Sequence, residues 1–239
     1  ANPYGGYDYS GAAYVVFGSD SGFAAALDLG ALDGTDGFRL AGAPNYSETG
    51  AVVASAGDVN GDGLDDLVIG ARYADFDGTG EYQGGAYVVF GSAAGFGATV
   101  DLQALDGTDG FRIEGPIRVS EAGGSVASAG DVNGDGFDDL VVGARRADPV
   151  GNYSYRGAAY VVFGTASAFG PTVDLGALDG ASGFRIDNGL FRSLEVRSVA
   201  SAGDLDGDGL DDVVVGTWSG RAHVVLGSSS GFPAAVSVD

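Results

Sequence analysis

The sequence contains no cysteine, methionine or lysine, and only one tryptophan and one histidine in 239 residues. Without cysteine there can be no disulfide, thiolate metal site or thiol nucleophile. That absence leaves the compartment open, since many exported bacterial chains also lack cysteine. Without methionine the chain cannot carry its own initiator, so its start at Ala1 is expected of a processed form or a piece of something longer. No signal-peptide pattern is present, and no apolar run approaches the ~20 residues of a membrane span. No stretch has convincing helical periodicity.

Positive charge is scarce as well. Eleven arginines stand against 33 carboxylates, for a net charge of −22. Such a surface repels duplex nucleic acid and anionic membranes, so neither is expected as a partner, and it attracts cations. Hydrophobic residues still make up 45% of the chain, which excludes a disordered acidic tail and allows a sizeable core.

Glycine is abundant, with 45 residues and no period of three. The dominant pattern is an internal repeat. GDVNGDGLDDLVIGAR begins at Gly57, GDVNGDGFDDLVVGAR at Gly130 and GDLDGDGLDDVVVGTW at Gly203, a constant step of 73 residues. Phe38, Phe111 and Phe184 keep the same step, as do Tyr14, Tyr87 and Tyr160. The last repeat is ten residues shorter, so His223 takes the next tyrosine position.

Each repeat reads as four short strands, with Ser125–Gly130, Asp139–Gly143, Ala159–Gly164 and Thr172–Leu175 as the example. The second and third are continuous β-branched and aromatic runs bounded by Gly and Asp, as in strands buried on both faces. The expected fold is all-β, with β-propeller-like blades of four antiparallel strands. About three and a half blades fit: a half blade over 1–37, full blades over 38–110 and 111–183, and a shortened, divergent one over 184–239. Closed propellers use four to eight blades, so this set is expected to leave an open edge.

The repeated loops carry the chemistry. Asp58, Asn60 and Asp62 fall on alternate positions of a tight Gly-rich loop, followed by the Leu64 carbonyl and Asp66. The second loop offers Asp131, Asn133, Asp135, the Phe137 carbonyl and Asp139. The third offers Asp204, Asp206, Asp208, the Leu210 carbonyl and Asp212. Several carboxylates converging with oxygen donors alone suit a hard cation, and a flexible loop favours Ca²⁺ over Mg²⁺. Without a cation the carboxylates repel one another. At least three calcium ions are therefore expected. The loops are not EF-hands: Ile69 stands where the twelfth-position Glu would be, and a strand follows.

These motifs resemble FG-GAP repeats, the units of integrin α-subunit β-propellers and of many large bacterial exported proteins. The resemblance implies a loop that joins the first two strands of a blade and holds Ca²⁺ through the side chains and carbonyls named above. The 73-residue period is longer than is usual in the family, and the blade count does not match a closed seven-bladed ring.

Other features weigh less. LDGTDGF at Leu32 and Leu105, and LDGASGF at Leu178, read as turns; Asp33, Asp36, Asp106 and Asp109 are a lesser cation candidate. His223 reads as a packing residue. Trp218 replaces Arg72 and Arg145 and reads as a blade-edge or partner residue. Tyr4, Tyr7, Tyr9, Tyr73, Tyr82, Tyr153 and Tyr155 enrich the loops between second and third strands, where a glycan or protein could bind. Leu190, Phe191, Leu194 and Val196, flanked by Arg192 and Arg197, read as an apolar contact patch. The expected function is non-catalytic: a calcium-stabilised extracellular structural or adhesion module, bacterial in character. Through its open half blade and divergent last blade it would self-associate into an oligomer or filament. The alternatives are a glycan-binding lectin and an accessory propeller of a larger exported hydrolase.

Overall fold

The computed structural model describes residues 11–43, 47–76, 78–148, 156–187, 194 and 196–238. Among the described residues sixteen strands form four sheets. The first full sheet holds β3 (Val53–Gly57), β4 (Asp66–Ala71), β5 (Gly85–Val89) and β7 (Gly110–Glu114) in antiparallel order. The second repeats it with β8 (Ala122–Gly130), β9 (Asp139–Ala144), β10 (Ala158–Val162) and β12 (Gly183–Asp187). The all-β, blade-like architecture and the four antiparallel strands per full blade are as the repeat implies.

The fourth strand is not the expected one. It is the GFRI segment, which pairs with the AYVV strand. The segment around Thr172 instead forms a three-residue strand, β11 (Thr172–Asp174), which joins the preceding blade by pairing parallel with β7. Likewise β6 (Thr99–Asp101) pairs with β2 (Gly37–Ala41), and β16 (Ala235–Ser237) with β12. Both full blades therefore receive a fifth strand from the repeat after them, and the sheet of β1 and β2 receives a third. The sheets also leave the repeat frame: the boundaries at 37/38, 110/111 and 183/184 fall in or beside strands that close the sheet before them.

Stacked phenylalanines hold the crossing segments down. Phe169, just before β11, lies on Phe111 with centroids 4.3 Å apart, and Phe90 packs against both. Phe96 stacks on Phe38 at 4.2 Å and Phe232 on Phe184 at 4.1 Å. Offset stacking adds about 0.5–1.5 kcal/mol to the burial of such rings.

The core consists of apolar slabs between successive sheets. Alternate residues of a strand serve opposite slabs, as the two-residue period requires. Val142 and Tyr160 face the first full blade, whereas Val141 and Val161 face the last one. β9 and β10 are buried at every residue.

The ends differ. β1 (Ala12–Val16) pairs with β2, and among the described residues no strand lies on its other edge. Among the described residues the last sheet holds β13 (Val196–Gly203), β14 (Asp212–Thr217) and β15 (Ala222–Val225). In the half blade a 3₁₀ turn lies at Leu29–Ala31, capped by Asp28, whose Oδ1 accepts from Gly30 N–H. Among the described residues no helix is long and apolar enough to cross a membrane.

Candidate metal centres

Each repeated loop connects the first strand of a blade to the second and is built around its first aspartate. Asp58 Oδ1 accepts from the backbone N–H of Gly61 and Asp62, at 2.7 and 3.0 Å, and its Oδ2 accepts from Gly63 N–H at 2.9 Å. Asp131 and Asp204 make the same three bonds. Gly63 has φ +86, a conformation that a side chain would strain. Asn60 Oδ1 accepts from Asp62 N–H, and Asp62 Oδ1 from Leu64 N–H. Asn133, Asp135 and Phe137 repeat the pattern, as do Asp206, Asp208 and Leu210.

In the third loop the carboxylate oxygens of Asp204, Asp206 and Asp208 lie within 4.8 Å of one another and are exposed. The first two loops have an asparagine in the middle of the trio. The donor set is oxygen throughout, anionic and solvent-facing. It fits a hard divalent cation and does not fit a softer transition metal.

The fourth aspartate of each loop stands apart. Asp66 is fully buried; its Oδ2 accepts from Val59 N–H at 3.0 Å and its Oδ1 from Gly91 N–H at 2.8 Å. Asp139 and Asp212 do the same with Val132 and Gly164, and with Leu205 and Gly227. These carboxylates clamp the loop to the end of the third strand. Burial raises the Asp66 carboxyl to about 6 and that of Asp139, in the middle blade, to about 8. The N–H bonds oppose the shift and the neighbouring loop aspartates add to it.

One set of functional residues escaped the sequence reading. Asp138, beside the clamp, reaches into the previous blade, where its Oδ2 accepts from Asp58 N–H at 2.9 Å. Asp211 does this to Asp131 at 3.0 Å. Return bonds run from Asp138 N–H to the Asp58 carbonyl and from Asp211 N–H to the Asp131 carbonyl. The three loops thus form one hydrogen-bonded chain across the blades. Gly57 and Gly130 leave room for the visiting carboxylates, since a Cβ at either would collide with them. The visible signal was an Asp-Asp pair in all three repeats.

Of the remaining expectations, the LDGTDG segments are turns: Asp33 Oδ1 accepts from both the backbone N–H and the hydroxyl of Thr35, and Asp106 repeats this with Thr108. Those bonds hold both carboxyls below the ordinary range. The expected apolar patch is corrected in part, because Leu194 and Val196 are core residues. Leu190, Phe191 and Arg192 lie outside the described residues, as do Tyr4, Tyr7, Tyr9, Tyr153 and Tyr155. Arg197 stacks over Trp218 at 4.4 Å. His223 faces Val215 in the register that Tyr87 and Tyr160 occupy in their own sheets.

The model of the FG-GAP repeat matches residues 49–89, 122–162 and 196–225, each running from the first strand through the third. Integrin alpha pat-2 of Caenorhabditis briggsae is 32% identical over 184 residues, covering 71% of this chain and 13% of the integrin. Integrin alpha-5 of Xenopus laevis is 31% identical over 196 residues, 80% of this chain and 16% of its own length. Phosphatidylinositol-glycan-specific phospholipase D of Rattus norvegicus is 30% identical over 177 residues, 71% of this chain and 18% of the enzyme. The chain thus spans less than a fifth of each of these relatives. With its loops, strands and spacing all of one kind, the chain belongs to the FG-GAP repeat family.

Proposed function

We propose that the chain is a calcium-stabilised, non-catalytic structural or adhesion module that works outside the cell or at its surface, with one calcium ion in each of its three loops. The supporting observation is the position of those loops: the first aspartates of the first two, Asp58 and Asp131, are hydrogen-bonded through their backbone to the loop of the next blade. A cation there offsets the repulsion among converging carboxylates and stiffens the joint. Calcium that binds only the folded form stabilises it by about 2.7 kcal/mol per site at a hundredfold excess over Kd. Extracellular calcium modules work at about 10⁻⁴ to 10⁻³ M, where such shallow, exposed loops fit. The similarity to integrin alpha chains supports the adhesion reading.

The module self-associates head to tail, its open half blade meeting the last blade of another copy. A contact between two different surfaces either closes a ring or runs on as a filament. The match to a phospholipase D favours a second reading, an accessory propeller of a larger enzyme. Calorimetry with calcium and with excess chelator tests the first reading. The melting temperature is expected to rise with calcium, and an unchanged melt would remove the calcium role.

A further inference from the structure

Arg72, Arg145 and Arg197 come from three successive blades and line one cavity of about 150 Å³, together with Trp218 and Ser125. Arg72 and Arg145 follow the last residues of β4 and β9, and Trp218 follows that of β14. The metal loops enter those strands at their other ends, so a six-residue strand puts about 20 Å between the two kinds of site. The chain has 11 arginines and a net charge of −22, and three arginines in one cavity reverse that sign locally. Among the described residues no carboxylate lines the cavity.

The arginines keep donors for a ligand. Each guanidinium carries five N–H groups. Glu48 accepts from Nη2 of Arg72, and Glu121 accepts from Nε and Nη2 of Arg145. Among the described residues Nη1 of both is left over, and Arg197 makes no ion pair but lies over Trp218 at 4.4 Å. Glu48 and Glu121 are held at φ +50 and +52, a left-handed conformation that is uncommon outside glycine and concentrates where ligands are held.

The third repeat changes these positions together. Leu194 stands for Glu48 and Glu121, Trp218 for Arg72 and Arg145, and Arg197 for Ala51 and Gly124. The exchange keeps a cation at the cavity and drops its carboxylate. Gly124 has a use of its own in the second repeat. A Cβ there would lie 3.2 Å from Cδ of Arg72, so the glycine lets Arg72 lie across the junction against the next blade.

We propose that this cavity binds the carboxylate of an acidic sugar of the hexuronic-acid class. Arginine forks match a planar carboxylate through paired N–H bonds. Trp218 is 60% exposed and offers an indole surface to the C–H face of a sugar ring, while Ser125 offers a hydroxyl to the ring's own hydroxyls. An aspartate side chain would reach the arginines but leave the indole and the hydroxyl unused. A polyanion would be repelled by the rest of the surface, so a single acidic sugar on a neutral glycan fits best. This site goes beyond the calcium-stabilised module and makes no use of its loops.

Trp218 is the chain's one tryptophan, so its fluorescence reads this cavity alone. The full chain in calcium is titrated with D-glucuronate and, in parallel, with glucose, N-acetylaspartate amide and sulfate, and calorimetry repeats each titration. Glucuronate is expected to give a saturable change in emission, with affinity about tenfold or more above that of the other three. Arg197→Gln removes a side chain that makes no ion pair, so it should melt like the parent yet bind glucuronate about tenfold more weakly by calorimetry. Arg197→Lys keeps the charge but not the fork and should fall between the two.

A parent that responds to none of the four overturns the site. An equal response to glucose overturns the role of the acid, and an equal response to sulfate overturns the preference for a carboxylate. An equal response to N-acetylaspartate amide overturns the sugar in favour of an acidic side chain. Unchanged binding in Arg197→Gln overturns these contacts. The melt in chelator is a separate result: a flat melt removes calcium from the loops and leaves the titration of this cavity as it was.

Discussion

The carboxylate of Asp138 accepts a hydrogen bond from the backbone N–H of Asp58, 80 residues earlier and one blade away. It sits next to Asp139, which clamps its own loop, so one Asp-Asp pair holds two loops at once. Asp138→Ala should destabilise the fold by about 1–3 kcal/mol, the cost of losing a hydrogen bond to a charged acceptor. Asp65→Ala, at an exposed site, should be near neutral in dilute monomer. Urea denaturation of both variants checks the contrast.

Acidity should act with opposite signs with and without calcium. Burial raises Asp66 to about 6 and Asp139 to about 8. Folding then takes up protons, so the stability tied to these groups is full below the unfolded carboxyl value of about 3.9 and falls as pH rises towards 8. In chelator the denaturation midpoint should therefore fall from about pH 5 to about pH 8. In calcium the ionised carboxylates are the binding form, and the midpoint should rise over the same interval. Parallel slopes in the two series would rule out cation binding at the loops.

The stacked phenylalanines allow an internal comparison. Phe169→Ala removes a ring stacked at 4.3 Å on Phe111 and should cost about 3–5 kcal/mol. Phe23 holds the same repeat position but is 63% exposed, and Phe23→Ala should change the melt little. Equal losses would show that the parallel fifth strand is not what these rings secure.

Glu121, 5% exposed at its side chain, is paired with Arg145 at 3.0 Å, and Glu48 pairs with Arg72 in the blade before. The third repeat has Leu194 and Trp218 at these two positions, an exchange of both charges for apolar groups. Removing one partner strands a buried charge, whereas replacing both need not be costly. Arg145→Trp, which leaves the buried Glu121 carboxylate with the longer 3.5 Å contact to Arg146, should thus be destabilising, and Glu121→Leu added to it should recover part of the loss. A double-mutant cycle measures the coupling.

The blades and the Asp/Gly loops were legible in the sequence because their determinants are local. β-branched runs, Gly-bounded turns and alternate aspartates recur every 73 residues. The strand at Thr172 was read as such, but its place in the preceding blade was not, because its pairing is set by Phe169 finding Phe111. Asp138 carries no local signal of its role, since its partner lies in another repeat. Leu194 read as surface because its neighbours are polar, yet it enters the slab between the last two sheets.

The passing of β11 back to β7 has a bearing on how the protein is made. During synthesis the chain emerges from its N-terminus, and domains usually fold in that order. Here a sheet whose four antiparallel strands end at Glu114 must wait until Asp174 has left the ribosome before its outer edge is covered. Each of the first three sheets is thus finished by a strand from the repeat after it, and a chain stalled or clipped before that strand leaves the edge raw.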